Sequence, residues 1–133
     1  MNKSTLLLAV IVFFISACNS TDKQLSQTEA LYHQALENKD AATVKVALNQ
    51  LLLLDSTSIE YQDSLSRVYM RNGNFNAGLK YAELVYNAGK AEAKLKENMA
   101  LAYQQVGETE KAEKFIDNLI VETGNYKYLY QKL

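Results

Sequence analysis

With 133 residues, 48% of them hydrophobic and 22% charged, the chain has the size and composition of one globular domain. A formal net charge of −1, with no run of like charge longer than two residues, excludes the clustered basic face that a nucleic acid needs and excludes a charged tail. A single histidine rules out a two-histidine metal site, a single cysteine rules out an internal disulfide, and the lack of proline permits long uninterrupted helices.

The chain opens on a targeting segment. Lys3 supplies a positive start, and Leu6 to Ile15 form a ten-residue apolar run. That is short of the roughly 20 apolar residues a membrane-spanning helix needs, and it suits the core of a secretory signal. The run ends in Ile15-Ser16-Ala17-Cys18, an apolar residue, two small ones and a cysteine, which resembles a bacterial lipobox. The resemblance implies cleavage before Cys18, lipid on its thiol and acylation of its freed amine. Residues 1–17 are then a lipoprotein signal peptide, and 18–24 the lipidated cysteine with a short polar tether. The short lipoproteins of the Bacteroidota look similar. In that group an acidic cluster after the cysteine accompanies surface export, and here only Asp22 is acidic. The expected location is therefore the cell envelope, on the periplasmic face of the outer membrane.

From residue 25 onward the chain repeats itself. Leu65, Ser66, Tyr69, Gly73, Gly78 and Val85 recur thirty-four residues later as Met99, Ala100, Tyr103, Gly107, Ala112 and Leu119. Apolar and small residues at helical spacing, interrupted by glycine where two helices must turn, describe a helix–turn–helix unit. In period and order this resembles the tetratricopeptide repeat. The expected fold is all-α: an antiparallel helix-hairpin solenoid of three such repeats (about 25–57, 58–91 and 92–125) with a C-terminal capping helix at 126–133.

The units follow in order. The first keeps the apolar frame at Leu31, Ala35, Val44, Leu48 and Leu51, but its turn, Asn38-Lys39-Asp40, lacks glycine. Asp40 can still cap the following helix, and any of Asp55, Ser56, Thr57 and Ser58 can cap the one after. The second unit predicts helices near Ile59–Arg71 and Phe75–Asn87, and the third near Glu92–Val106 and Thr109–Glu122. Thr109 stands where Phe75 would be matched. Gly89 and Gly124 close the second helices in a left-handed conformation, and Gly78 and Ala112 are small where the helices of a hairpin cross. Tyr126, Leu129, Tyr130 and Leu133 share one face of the capping helix. Tyr69 and Tyr103 are core positions of the repeat. Tyr32, Tyr81 and Tyr128 are freer to face a partner.

Catalytic groups are scarce. His33 is the only histidine available as a base, no glycine-rich phosphate loop occurs, and the best carboxylate pair, Asp63 with Glu97, reads more simply as solvated surface. We expect no enzyme activity, no cofactor and no metal.

The family resemblance implies a groove lined by the first helix of each unit. Carried over by position, that groove takes Glu29, His33 and Leu36 from the first unit. It takes Asp63, Arg67, Met70 and Arg71 from the second, and Lys94, Glu97, Leu101 and Gln104 from the third. Glu29, Asp63 and Glu97 fall at one equivalent position, an acidic row that either binds or is merely solvated. Used for binding, it would repel an acidic tail and suit a basic, partly apolar protein segment. The expected function is thus a membrane-anchored protein–protein interaction module, an adaptor or scaffold of the envelope. The alternative is a structural subunit docking into a larger envelope complex through its end repeats. A small-ligand or glycan binder would want aromatic residues that this groove lacks.

Overall fold

Helix punctuation written in the sequence sets the architecture of the protein. In the structure, a computed structural model, residues 3–125 and 127–128 are described, with side chains for 20–125, 127 and 128. All six elements among the described residues are α-helices: α1 (Lys3–Glu37), α2 (Ala41–Leu54), α3 (Ile59–Arg71), α4 (Phe75–Asn87), α5 (Ala93–Gln105) and α6 (Thr109–Thr123). They fall into two units, Met1–Ser56 and Thr57–Leu133. The side chain of Cys18, on which the lipidation reading rests, lies outside the described residues, as do Tyr126, Leu129, Tyr130 and Leu133 of the expected capping helix.

The first unit is the hairpin of α1 and α2. The expected tether residues 20–24 are helical, so α1 begins well before the point at which the first repeat helix was expected. No helix among the described residues is long and apolar enough to cross a membrane. Among the described residues of this unit, Ala35, Val44, Ala47, Leu48 and Leu51 are buried. Asp40 caps α2 as expected, its Oδ1 accepting from the Thr43 backbone N–H at 3.1 Å and its Oδ2 from the Thr43 hydroxyl at 2.6 Å.

The glycine-free turn of this unit has the same backbone as the glycine turns of the second. Lys39, Gly73 and Gly107, spaced by thirty-four, have φ of 56°, 76° and 82°. Behind them Asp40, Asn74 and Glu108 donate their backbone N–H groups to the carbonyls of Ala35, Tyr69 and Tyr103 at 2.9, 2.9 and 2.8 Å, the same closing bond three times. Lysine in this left-handed conformation is strained by its Cβ, which glycine lacks. Lys39→Gly should therefore stabilise the protein by roughly 0.5–1 kcal/mol, read as a raised urea midpoint.

The second unit holds two hairpins, α3–α4 and α5–α6, with α5 packed on both α4 and α3. Helix α3 starts at Ser58, whose Oγ accepts from the Tyr61 backbone N–H at 3.4 Å, and α4 starts at Asn74, whose Oδ1 accepts from that of Ala77 at 3.3 Å. Helix α6 has no such side-chain cap at Glu108. The core is built from Leu79, Ala82 and Val85 of α4, Leu95, Met99, Ala100, Ala102 and Tyr103 of α5, and Ala112, Phe115, Ile116 and Leu119 of α6. Each fully buried leucine or isoleucine here contributes about 2 kcal/mol by leaving water.

The repeat extends to its aromatic pairs. Tyr69 stacks on Tyr81 with ring centroids 5.9 Å apart and Tyr103 stacks on Phe115 at 5.6 Å, so each partner of one pair lies thirty-four residues before its counterpart. Tyr81 is therefore engaged within its own hairpin rather than presented to a partner. Lys96 ties α5 to α6 through both carboxylate oxygens of Glu122, at 2.7 Å each.

Candidate functional site

The packing of α3 against α5 places two helix faces side by side. Arg67, Met70 and Arg71 follow i, i+3, i+4 on α3, and Lys94, Asn98 and Leu101 follow i, i+4, i+7 on α5. With Phe75, the first residue of α4, these seven side chains line an open cavity of about 340 Å³. The structure thus brings together Arg67, Met70, Arg71, Lys94 and Leu101 from the predicted groove. Gln104, half-buried on α5, is outside the lining. Glu29, His33 and Leu36 belong to the first unit, where His33 is exposed with Tyr32 5.2 Å from its ring and Leu36 is 46% exposed.

Two lining residues escaped the sequence reading. Asn98 lies one turn from Lys94 and one from Leu101, so helical spacing alone could have included it. Phe75 belongs to a second helix and enters because the chain reverses tightly at Gly73, which a groove built only from first helices omits.

Two acids of the expected row are held in ion pairs with neighbouring cations. Asp63 is taken up by Arg67, whose Nε and Nη2 both lie 2.9 Å from Asp63 Oδ2. Glu97 is taken up on both of its oxygens. Lys94 Nζ lies 2.8 Å from Oε2, Lys127 Nζ lies 3.3 Å from Oε1, and the Tyr128 hydroxyl donates to Oε1. The row of acids is therefore neutralised from within at these two positions. The cavity is lined by Arg71, by Arg67 and Lys94 in their ion pairs with Asp63 and Glu97, and by Met70, Phe75 and Leu101, with no acid in its lining. Arg71 is exposed and makes no ion pair among the described residues.

Tyr128 corrects a second expectation. Rather than facing a partner it is 3% exposed, joined to the core of the second unit. Glu97 is partly buried beside it, its side chain 17% exposed and bound by three donors. The Lys94 ammonium, followed by the Tyr128 hydroxyl, holds its carboxyl down at about 2. Hydrogen bonding to Glu97 in turn raises the Lys127 ammonium and the Tyr128 phenol. A general acid needs the opposite displacement, toward neutrality, so Glu97 is not set up as a general acid.

A different face of α5 carries a second cavity, also about 340 Å³, between α4 and α6. Tyr103 forms part of it, donating its hydroxyl to Glu83 Oε1 at 2.5 Å, with Lys111 Nζ 5.4 Å from the ring centroid. Burial, then the Glu83 contact, pushes the Tyr103 phenol far above its usual range. Among the described residues no group of three or more His, Cys, Asp and Glu could hold a metal ion.

No protein-family profile and no curated protein matches the chain by sequence. Among solved structures, the chain is similar to the N-terminal domain of stress-induced protein-1 (STI-1) from C. elegans. The TM-score is 0.62 at 18% sequence identity, and the match covers 84% of this chain and 93% of that one. With the thirty-four-residue repeat, the recurring turn and the stacked aromatic pairs, the likeness establishes the fold of this chain as all-α, built of tetratricopeptide-like helical hairpins.

Proposed function

We propose that the chain is a protein-interaction module that binds an extended or helical segment of another protein across the α3–α5 face of its second unit. The observation that carries this reading is the cavity of about 340 Å³, in which three cationic side chains surround three apolar ones. Such a lining favours a segment that alternates carboxylates with apolar side chains, because paired charges and desolvated apolar contacts then coincide. The module works at a bacterial envelope membrane, held there by lipid on Cys18; the lipobox-like Ile15-Ser16-Ala17-Cys18 supports this part.

The two parts are tested separately. A short fluorescent peptide alternating Asp and Leu should bind the protein more tightly than its Lys–Leu counterpart. Arg71→Glu should weaken the Asp–Leu peptide about tenfold without changing the helical circular-dichroism signal. Unchanged affinity in that variant would move the contact away from the cavity. For the anchor, Cys18→Ala should shift the protein from the membrane to the soluble fraction, and a variant that stays membrane-bound refutes lipidation.

A further inference from the structure

The residues at the end of the second unit reach the candidate cavity through one carboxylate. Glu97 is bound on its two oxygens by three donors: Oε2 holds Lys94, a cavity-lining residue, at 2.8 Å, while Oε1 holds Tyr128 and Lys127. For an anionic group in the cavity to take Lys94, Glu97 must give it up. The Glu97 side chain is only 17% exposed, so losing a donor without replacement would leave a poorly hydrated charge. Tyr128 and Lys127 remove that penalty, because they still satisfy Oε1 after Lys94 has turned away.

We infer that docking of Lys127 and Tyr128 on Glu97 sets the affinity of the α3–α5 cavity for an anionic segment, by making Lys94 available to it. Lys127 and Tyr128 are positioning residues: neither lines the cavity, and both act through Glu97. A partner or a modification that lifts these residues from Glu97 would weaken the cavity at a distance. The inference rests on the binding reading proposed above.

The test is a double-mutant cycle on the full-length chain with the Asp–Leu peptide, read by fluorescence anisotropy. Tyr128→Phe keeps the buried ring and removes only the hydroxyl. Lys127→Ala changes a side chain that is 58% exposed, so it leaves the fold intact. Each should weaken binding about five- to tenfold in the otherwise unchanged protein. Neither should matter once Glu97→Gln has removed the charge that competes for Lys94, and Glu97→Gln alone should bind more tightly. Lys111→Ala, an equal charge change at the α4–α6 cavity, should leave binding nearly unchanged.

If Tyr128→Phe binds like the unmodified chain, or loses as much affinity in the Glu97→Gln background, the coupling is overturned. When Arg71→Glu still weakens binding about tenfold in that case, the cavity itself stands. A peptide that ignores Arg71, or fails to bind at all, overturns both readings.

Discussion

Gly78→Ala should lower the unfolding free energy by about 2 kcal/mol, measured by urea denaturation with circular dichroism. A Cβ at Gly78 would stand 2.5 Å from Met70 Cγ, and 3.2 Å from both the Met70 backbone nitrogen and the Ser66 carbonyl oxygen. The methionine side chain can rotate, but the two backbone atoms belong to α3 and yield only if the hairpin opens. Overpacking of this kind costs about 1–3 kcal/mol, against which the better helix propensity of alanine returns at most about 1 kcal/mol.

The equivalent position in the next hairpin supplies the control. Ala112 is fully buried there, and Gln104 and Ala100 stand where the first hairpin of this unit has Met70 and Ser66. Ala112→Gly should therefore be destabilising too, by about 1 kcal/mol, for the opposite reason: it loses helix propensity and leaves a void. Combining Gly78→Ala with Met70→Ala should restore less than the full loss, since the backbone contacts remain. If Gly78→Ala is neutral or stabilising, the close crossing of α3 and α4 is refuted. Because Met70 also lines the cavity, the same variant should disturb peptide binding.

Acid should loosen the end of the second unit through Glu97. Its carboxyl titrates at about 2 in the folded chain against 4.5 when unperturbed, so folding favours the ionised form. The stabilisation is complete above the unfolded value of 4.5 and is lost progressively as the pH falls toward 2. With solvent screening allowed for, the expected contribution is about 1–2 kcal/mol. Glu97→Gln should cost that amount at pH 7 and almost nothing at pH 2. Measuring unfolding of both proteins across this interval checks the prediction. An equal difference between them at both ends would show that the Lys94, Lys127 and Tyr128 contacts do not depend on the charge of Glu97.

Much of the fold was legible along the chain because its causes are local. Helices α3 and α4 begin and end on the residues that the hydrophobic period and turn signals indicated, Ile59–Arg71 and Phe75–Asn87. The Asp40 cap, the Ser58 start and the left-handed Gly89 and Gly124 each depend on a few neighbouring residues. Lys39 shows the reach of this logic: the register placed a turn there without glycine, and the backbone adopts the glycine-like conformation anyway.

The candidate site was only half legible. The resemblance to the tetratricopeptide repeat put Arg67, Met70, Arg71 and Leu101 in the expected groove, and these four line one cavity of the structure. The resemblance could not assign the sign of the charge they offer. An acid three or four residues from a base is an obvious ion pair only after the rotamers are known, as with Asp63–Arg67 and Lys94–Glu97.

By itself, then, the sequence determined the repeat, its helices, its turns and the small residues where helices cross, since these rest on contacts within a few turns of chain. The tertiary structure alone decided that Tyr128 is buried and that Glu97 serves Lys94, Lys127 and Tyr128 at once, an assembly in which hydroxyl and carboxylate lie 31 residues apart. It also decided that three basic side chains and no acidic one line the cavity. The reason is physical: a charge acts through whatever packs within a few ångströms of it, and that is set by how helices meet rather than by their order.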